Sequence, residues 1–157
     1  MTTAKKLVER LNELGRTCGT AESCTGGGIG SAITAVPGSS AVFMGGVISY
    51  DNSVKQGVLG VSSETLASVG AVSSETAWQM AVGVRKLLQV DYAVSVTGIA
   101  GPGGGSDEKP VGLVWFGVAA PAGVKTEKRV FPGNRAEVRA ATVEHALSLL
   151  LAATEYA

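Results

Sequence analysis

Apolar residues recur at the spacing of an amphipathic helix in long segments near both ends and in the middle of the chain. These segments cover residues 4–14, residues 74–89, and the stretch that begins near Asn134. Gly15 follows the first segment, as is typical of a helix C-cap. The positions predicted to face inward are Leu7, Val8, Leu11, Leu14, Ala77, Ala81, Val84, Leu88, Val138, Ala141, Val143, Ala146, Leu149 and Leu150.

Shorter helices are indicated by local signals. Residues 25–36 read as a glycine-rich helix, and the turn chemistry of residues 37–40 ends it. The pentapeptide VSSET occurs at residues 61–65 and again at 72–76. In each copy a serine can cap a helix whose first turn carries a glutamate, which the helix dipole favours. We interpret the two copies as two helix starts, because their spacing is too short for a repeat architecture.

Stretches rich in β-branched and aromatic residues predict strands. They cover residues 17–21, 42–50, 92–97, 111–120 and 124–131, and the last two are separated by Pro121-Ala122-Gly123 as in a hairpin. Another helix start is indicated at Asp51-Asn52-Ser53. Because helices and strands interleave along the chain, the expected class is α/β with a mixed sheet. We expect residues 1–157 to form one domain.

Composition narrows the functional classes. The 157 residues are 45% apolar and 17% charged, as in a compact soluble domain. Thirteen acidic and thirteen basic residues cancel, so no general affinity for nucleic acid or anionic membrane is indicated. The chain start is amphipathic rather than a signal peptide, and we expect a cytoplasmic protein with reduced Cys18 and Cys24. With a single histidine, His145, a metal site built from His and Cys is not expected.

Two glycine-rich loops follow predicted strands. They cover residues 21–30 (AESCTGGGIG) and 98–105 (GIAGPGGG). Ligands of open α/β sheets collect at the carboxyl ends of strands, so both loops are expected to border one pocket. Their backbone N–H groups suit an anion, especially where the first loop enters a helix N-terminus. However, the GxxxxGK[ST] and dinucleotide-type GxGxxG motifs are absent, and tight turning or close packing is the alternative explanation of the glycines.

A nucleophile is the other candidate chemistry of the first loop. Ser23 lies at a predicted strand-to-helix turn, although GxSxG is absent. We expect His145 at the surface or its boundary, so Lys55 is the alternative base, unless it is a solvated lysine at a helix start. Cys24 competes with Ser23, but neighbours on an extended strand point to opposite faces, so only one is expected to face the pocket.

The roles of the other polar residues near the loops are predicted less specifically. Glu22 is either a polar pocket residue or a partner of the loop N–H groups. The segment Asp107-Glu108-Lys109 reads as a solvated loop tip.

Four segments together resemble one known family. They are TAESCTGGGIGSAIT, VPGSSAVFMGGVISYDNSVKQGVLGV, GAVSSETAWQMAVG and DYAVSVTGIAGPGGGSDEKPVGLVWFGV. They are similar to the C-terminal domain of the competence/damage-inducible CinA family, whose standalone members include nicotinamide-nucleotide amidohydrolases, and the likeness covers residues 7–150. Longer members carry an N-terminal domain resembling molybdopterin-binding proteins, which has no counterpart in these 157 residues.

The resemblance implies a three-layer α/β/α domain that hydrolyses the carboxamide of nicotinamide mononucleotide (NMN) to nicotinate mononucleotide and ammonia. It implies Ser23 as nucleophile, Lys55 as its base and Tyr50 as a further catalytic residue. Arg135 is the implied substrate arginine, with Arg139 one helical turn away as the other candidate. The further substrate-binding residues expected on the two loops are Glu22, Thr25, Gly26, Gly27, Thr97, Gly98, Gly101, Gly103 and Gly104.

The implied mechanism is a serine acyl-enzyme. Neutral Lys55 takes the proton of Ser23, N–H groups of residues 24–27 and Tyr50 hold the oxyanion, and the phosphate lies on the second loop or on Arg135. No metal or organic cofactor is expected, and the partners are the nucleotide substrate and further copies in a homodimer or higher homo-oligomer. The alternative is a catalytically silent nucleotide-binding or partner module with the same fold.

Overall fold

The central sheet of the protein has five strands: β1 (Cys18–Glu22), β2 (Phe43–Ile48), β3 (Tyr92–Gly98), β4 (Leu113–Ala120) and β5 (Gly123–Val130). In the computed structural model, which describes residues 1–155, they lie in the order β2-β1-β3-β4-β5. β1 pairs in parallel with both β2 and β3, whereas β3–β4 and β4–β5 are antiparallel. The prediction of a mixed sheet is therefore confirmed.

Six helices accompany the sheet within residues 1–155: α1 (Thr3–Leu14), α2 (Gly28–Thr34), α3 (Asn52–Gly57), α4 (Ser63–Ser68), α5 (Ser74–Leu88) and α6 (Arg135–Ala153). A short 3-10 turn, Ser39–Ala41, precedes β2. α1, α2 and α6 pack together on one face of the sheet, and α5, with α4 beside it, packs on the other. This arrangement gives three layers, α/β/α. None of the helices among residues 1–155 has both the length and the apolar character that a membrane span requires.

Each face of the sheet has its own apolar cluster. Leu7, Leu11, Ile29, Phe116 and Leu150 belong to the cluster under α1, α2 and α6, whereas Met80, Val84 and Ala93 belong to the smaller one under α5. Most predicted inward positions are buried. Ala141, Val143 and Leu149 of α6 are only half-buried, as are Leu14 and Leu88, and the residues of α6 that are buried are Val138, Thr142, Ala146, Leu147 and Leu150.

The error in α6 has a simple cause. Thr142 is polar and was not counted as an inward residue, but its hydroxyl donates to the Val138 carbonyl oxygen at 2.7 Å and needs no water. Once Thr142 is included, residues 138, 142, 146 and 150 form an inward stripe with a spacing of four.

Two of the predicted helix starts are confirmed, and another lies later in the chain than predicted. Both VSSET copies do start helices: Ser62 and Ser73 accept hydrogen bonds from the backbone N–H groups of Thr65 and Thr76, each at 3.1 Å. The helix predicted from residue 25 begins only at Gly28, because Gly26 and Gly27 have φ angles of +58° and +100°. Such angles interrupt a right-handed helix and favour glycine. β4 likewise begins at Leu113 rather than at residue 111.

Candidate active site

The carboxyl ends of the three parallel strands meet at one edge of the sheet. The first glycine-rich loop follows β1, the Ser49-Tyr50 turn follows β2, and the second glycine-rich loop follows β3. β2 and β3 lie on opposite sides of β1, so this edge contains a topological switch point, where α/β sheets bind ligands. β5 also ends here, since Val130 pairs with Leu113, and it delivers the start of α6 to the same edge.

A cleft of about 280 Å³ opens at this edge. The predicted site residues that line it are Ser23, Tyr50, Lys55, Thr97, Gly98, Gly101, Gly103, Gly104 and Arg135. Four other predicted site residues are not part of its lining: Glu22, Thr25, Gly26 and Gly27. The two loops therefore do meet at one cleft, but the first loop contributes only Ser23 and Cys24.

Lining residues that the sequence did not predict are Asn52, Ala71 and Val72, whereas Ile99 and Ala100 belong to the loop 98–105 that was expected to border the pocket. Asn52 lies between Tyr50 and Lys55 in the sequence, and this position could have indicated that it lines the cleft. Ala71 and Val72 precede α5 and carried no signal, because only a tertiary contact brings them to the cleft. In that contact the Thr97 hydroxyl donates to the Ala71 carbonyl oxygen at 2.8 Å.

Ser23 and Lys55 lie side by side at the bottom of the cleft. The Lys55 Nζ is 3.1 Å from the Ser23 Oγ, and it donates to the carbonyl oxygens of Ser49 at 2.7 Å and Tyr50 at 3.1 Å. Lys55 is 1% exposed and Ser23 is 8% exposed, so neither is a solvated surface residue. The alternative of a solvated lysine is thus wrong.

The local chain path explains this geometry. Asp51 caps α3 by accepting a hydrogen bond from the Ser53 backbone N–H at 3.0 Å, and the first turn of α3 folds Lys55 back over residues 49 and 50. The Ser49 backbone N–H donates to the Glu22 carbonyl oxygen at 2.7 Å, which ties this turn to the end of β1. Lys55 is therefore held against two carbonyl groups of its own turn and one hydroxyl from β1's loop.

Burial shifts the protonation equilibrium of Lys55 toward the neutral amine. Removal from water lowers the pKa of its ammonium group below the ordinary value of 10.5, although the negative charge of Asp51 acts in the opposite direction. In the neutral form, two N–H bonds can point at the carbonyls of Ser49 and Tyr50, and the lone pair can accept the Ser23 hydroxyl proton. Hydrogen bonds from Ser53 lower the pKa of Asp51 below 3.8, so Asp51 stays ionised.

Cys24 is also among the residues that line the cleft, but its side chain belongs to the apolar cluster under α1, α2 and α6. That only one of Ser23 and Cys24 faces the cleft therefore stays a prediction, although its strand-based reason does not apply. β1 ends at Glu22, and the alternation of side chains applies only within a strand. Burial raises the pKa of the Cys24 thiol to about 11, which keeps it protonated. The thiol is therefore the weaker nucleophile of the two, because thiol reactivity requires the thiolate.

Glu22 is a partner of the first loop. Its buried carboxylate accepts hydrogen bonds from the hydroxyls of Thr20 (3.1 Å) and Thr25 (2.7 Å), and from the backbone N–H groups of Ile29 (2.8 Å) and Gly30 (3.0 Å). The start of α2 is thus already occupied by a carboxylate. The prediction of an anion-binding site at this helix N-terminus is therefore wrong.

The two arginines at the start of α6 have different positions. Arg135 lines the cleft, where Nη1 donates to the Gly101 carbonyl oxygen at 2.8 Å and Nη2 lies 3.4 Å from the Tyr50 hydroxyl. Arg139 lies outside the cleft lining and donates to the carbonyl oxygens of Cys24 and Thr25, each at 3.1 Å. Arg135 therefore faces the ligand space, and Arg139 holds the back of the first loop.

Several glycine N–H groups of the second loop are available to a ligand. Within residues 1–155, the N–H groups of Gly103, Gly104 and Gly105 have no protein acceptor. Residues 102–108 are exposed. Lys109 is half-buried and its Nζ donates to the Val69 carbonyl oxygen at 2.6 Å, so its prediction as part of a solvated tip is wrong, whereas Asp107 and Glu108 are exposed as expected.

His145 lies away from the cleft lining. Its half-buried ring packs edge-on against Phe116, with the ring centres 4.7 Å apart, and its Nε2 lies 3.2 Å from the Glu127 Oε2. The structure thus agrees with the prediction of a boundary residue. His, Cys, Asp and Glu side chains of residues 1–155 form no group of three or more that could hold a metal ion.

Fold and site together define a three-layer α/β protein in which a buried serine–lysine pair lies at the switch point of a mixed sheet. The model of the CinA C-terminal domain matches residues 1–154. A CinA-like protein of Cyanothece sp. is 58% identical over 122 residues, which are 78% of this chain and 29% of that protein. A putative competence-damage inducible protein of Halothermothrix orenii is 55% identical over 141 residues, which are 89% and 34% of the two chains.

Solved structures agree. The competence/damage inducible protein CihA of Agrobacterium tumefaciens is 48% identical, with a TM-score of 0.93 over 96% of this chain and 92% of that one. A CinA superfamily protein of Klebsiella pneumoniae is 33% identical, with a TM-score of 0.94 over 99% and 97%. The chain belongs to the CinA C-terminal domain family. It spans about a third of the length of the curated relatives it matches.

Proposed function

We propose that the protein is a nicotinamide-nucleotide amidohydrolase, which converts NMN and water to nicotinate mononucleotide and ammonia and serves pyridine nucleotide salvage. The observation that carries the proposal is the buried contact of 3.1 Å between the Ser23 Oγ and the Lys55 Nζ. The Ser49 and Tyr50 carbonyls occupy two N–H bonds of the amine and leave its lone pair directed at the serine.

In the first step, the neutral amine of Lys55 accepts the Ser23 proton while Oγ attacks the carboxamide carbon. The resulting ammonium then returns the proton to the nitrogen of the tetrahedral intermediate. The carbon–nitrogen bond breaks, ammonia leaves, and the nicotinoyl group remains as an ester on Ser23.

In the second step, Lys55 accepts a proton from water, whose oxygen attacks the ester carbon. The carbon–Oγ bond breaks and the proton returns to Ser23. The product leaves as a carboxylate after its carboxyl proton passes to solvent. Lys55 thus acts as base and acid in turn, which requires an amine that is uncharged at the start of each step.

Backbone N–H groups of the first loop are proposed as the oxyanion site. Within residues 1–155, the N–H group of Cys24, a lining residue, has no protein acceptor outside its own residue, whereas that of Gly26 donates to the Ser23 carbonyl oxygen. Loss of one such donor typically costs about 3 kcal/mol in the transition state. Tyr50, 63% exposed beside Arg135, is proposed to assist on the same side of the cleft.

The phosphate of the substrate is proposed to lie between Arg135 and the second loop. The guanidinium of Arg135 faces the cleft, and the unoccupied N–H groups of Gly103 and Gly104 lie in its lining. The lining contains the cationic side chain of Arg135 and no carboxylate, which favours an anionic ligand.

Ammonia release from NMN by the purified protein tests the proposal. We expect turnover by the unchanged protein, loss of at least about 10⁴-fold in Ser23→Ala, and near-normal turnover in the neighbouring control Cys24→Ala. Calorimetric binding of NMN to Ser23→Ala should persist. Binding without turnover by the unchanged protein would instead support a silent nucleotide-binding module, and near-normal rates in Ser23→Ala would exclude Ser23 as nucleophile.

For the assembly we propose a homodimer that forms through the free edge of β2. Residues 23–50 contain no charged side chain, whereas the other edge strand, β5, carries Lys125, Glu127, Lys128 and Arg129. An uncharged strand edge favours pairing with another strand, and charges on an edge oppose it. The unpaired thiols of Cys18 and Cys24 support a cytoplasmic location.

Sedimentation of matched variants tests the dimer. Ile48 on β2 is 55% exposed and Val130 on β5 is 59% exposed. We expect Ile48→Lys to be monomeric and Val130→Lys to sediment as the unchanged dimer. A monomeric unchanged protein, or dissociation caused only by Val130→Lys, would exclude this interface.

A further inference from the structure

Arg139 lies outside the cleft and binds the loop that carries the nucleophile. Its Nε donates to the Cys24 carbonyl oxygen and its Nη2 to the Thr25 carbonyl oxygen, both at 3.1 Å. One rigid guanidinium thus holds two successive peptide units directly after Ser23. The planar fork of arginine suits this double contact, which the single ammonium of a lysine cannot reproduce in the same geometry.

These two hydrogen bonds determine the direction of the Thr25 and Gly26 N–H groups. The C=O and N–H of a trans peptide unit point in opposite directions, so holding the Cys24 carbonyl directs the Thr25 N–H away from Arg139. Likewise, holding the Thr25 carbonyl directs the Gly26 N–H away, and this group does donate to the Ser23 carbonyl oxygen at 3.1 Å. The Thr25 N–H has no protein acceptor within residues 1–155.

The contact with Arg139 also makes the Thr25 N–H a stronger hydrogen-bond donor. A cation bound to a carbonyl oxygen polarises the peptide unit and makes its N–H a stronger donor, as in a cooperative hydrogen-bond chain. The Thr25 N–H is the donor that receives this effect through the Cys24 carbonyl.

We propose that Arg139 is a positioning residue for the chemistry at Ser23: it fixes and polarises the two peptide units that directly follow the nucleophile. The inference rests on the proposed function, because it requires Ser23 to be the nucleophile. It assigns the two arginines of α6 different tasks, since Arg135 faces the ligand and Arg139 acts through the backbone.

The loop has a second, independent anchor, which makes the proposal testable. Glu22 binds the Thr25 hydroxyl and the Ile29 and Gly30 N–H groups through contacts that do not involve Arg139. Because Arg139 is exposed, whereas Glu22 is buried, we expect its removal to leave the fold intact.

The experiment measures how fast Ser23 reacts with an alkyl fluorophosphonate, followed by mass spectrometry. The Ser23 Oγ forms a bond to phosphorus, the phosphorus–fluorine bond breaks, fluoride leaves, and Lys55 takes the proton. This reaction places an oxyanion beside the serine without requiring NMN. The proteins are the unchanged chain, Arg139→Met, Arg139→Lys, and the surface control Arg129→Met on β5.

We expect Arg139→Met to lower the labelling rate by about 10- to 100-fold, the range that misplacement of a catalytic group produces. Arg139→Lys should recover part of the rate, and Arg129→Met should match the unchanged protein. With NMN, Arg139→Met should lower kcat and leave KM unchanged. A merely structural brace would change the melting temperature without this split between kcat and KM.

Three results would overturn the proposal. They are a normal labelling rate in folded Arg139→Met, a loss that is confined to KM, or an equal loss in Arg129→Met. Should Arg139→Met fail to fold, the same comparison of Arg139→Lys with the unchanged protein decides. Labelling without turnover of NMN would remove the proposed substrate but not the role of Arg139, whereas absence of labelling in the unchanged protein would refute both.

Discussion

The two glycine-rich loops flank one cleft but differ in what their backbone N–H groups contact. In the first loop, the N–H groups of Ile29 and Gly30 are bound by the Glu22 carboxylate, and that of Gly26 is bound by the Ser23 carbonyl. In the second loop, those of Gly103, Gly104 and Gly105 have no acceptor within residues 1–155.

The difference shows that glycine content alone does not make an anion site. The glycines of the first loop allow a turn with positive φ that carries Ser23 to the cleft, and a buried carboxylate consumes the donors of the following helix. The second loop leaves its donors beside Arg135. An anion site therefore requires N–H groups that the protein itself has not already satisfied.

After Ser23→Ala, the largest effect is expected from removing the amine beside the first loop. Lys55→Met deletes the proposed base and should lower kcat for NMN by about 10³-fold, as loss of a general base typically does. The control is Lys86→Met on the exposed surface of α5, for which we expect unchanged turnover. Equal activity of the two variants in the ammonia assay would remove Lys55 from the mechanism.

The pH dependence sharpens this prediction. Only neutral Lys55 accepts the serine proton, so kcat should rise with pH through a pKa below 10.5 and then level off. Because the folded-state pKa is lowered, the unfolded chain binds more protons between the two pKa values, and the contribution of Lys55 to stability should rise with pH in that window. The measurement compares kcat and urea unfolding of the unchanged protein and Lys55→Met across pH.

The next effect concerns the stability of the first loop. Glu22→Gln replaces a carboxylate oxygen by an NH₂ group that faces backbone N–H donors, and should lower the free energy of unfolding by about 3 kcal/mol. Urea unfolding with the Glu22→Asp variant as a second probe measures it. A change below about 0.5 kcal/mol in Glu22→Gln would contradict the view that this carboxylate closes the loop.

A smaller effect is expected on the ligand side of the cleft. Arg135→Met removes a charged donor beside the second loop, and should raise KM for NMN about tenfold or more with little change in kcat. Binding of inorganic phosphate should weaken in parallel. A loss confined to kcat would instead indicate that Arg135 acts on the reacting group rather than on the phosphate.

The smallest effect is expected in the second loop itself. A methyl group at Gly103 meets no atom within 4 Å and its φ is not positive, so Gly103→Ala should raise the free energy of unfolding by about 0.5 kcal/mol. The contrast with Glu22→Gln, measured in the same urea series, tests the difference between a closed and an open loop. Strong destabilisation by Gly103→Ala would show that the second loop is packed as tightly as the first.

Sequence reasoning was accurate where the signal is local. Periodicity predicted the long helices, and the serines of the VSSET copies predicted two helix starts that the structure confirms. The glycines and Ser23 placed a candidate nucleophile at a turn, and Lys55 was identified as a candidate base. For Glu22, the second of the two predicted roles, a partner of the loop N–H groups, is confirmed. The contacts of Arg139 and Lys109 were not predicted, because their partners lie on other elements.

The order and kind of secondary-structure elements and the two loops follow from the chain alone, since they depend on residues a few positions apart. The pairing of Ser23 with Lys55 came instead from the resemblance to the CinA family. Tertiary packing decided which N–H groups of each loop the protein satisfies, which arginine faces the cleft, and why the pKa of Lys55 is lowered. Those properties depend on burial and on contacts between residues that are remote in sequence. No local pattern of side chains encodes them.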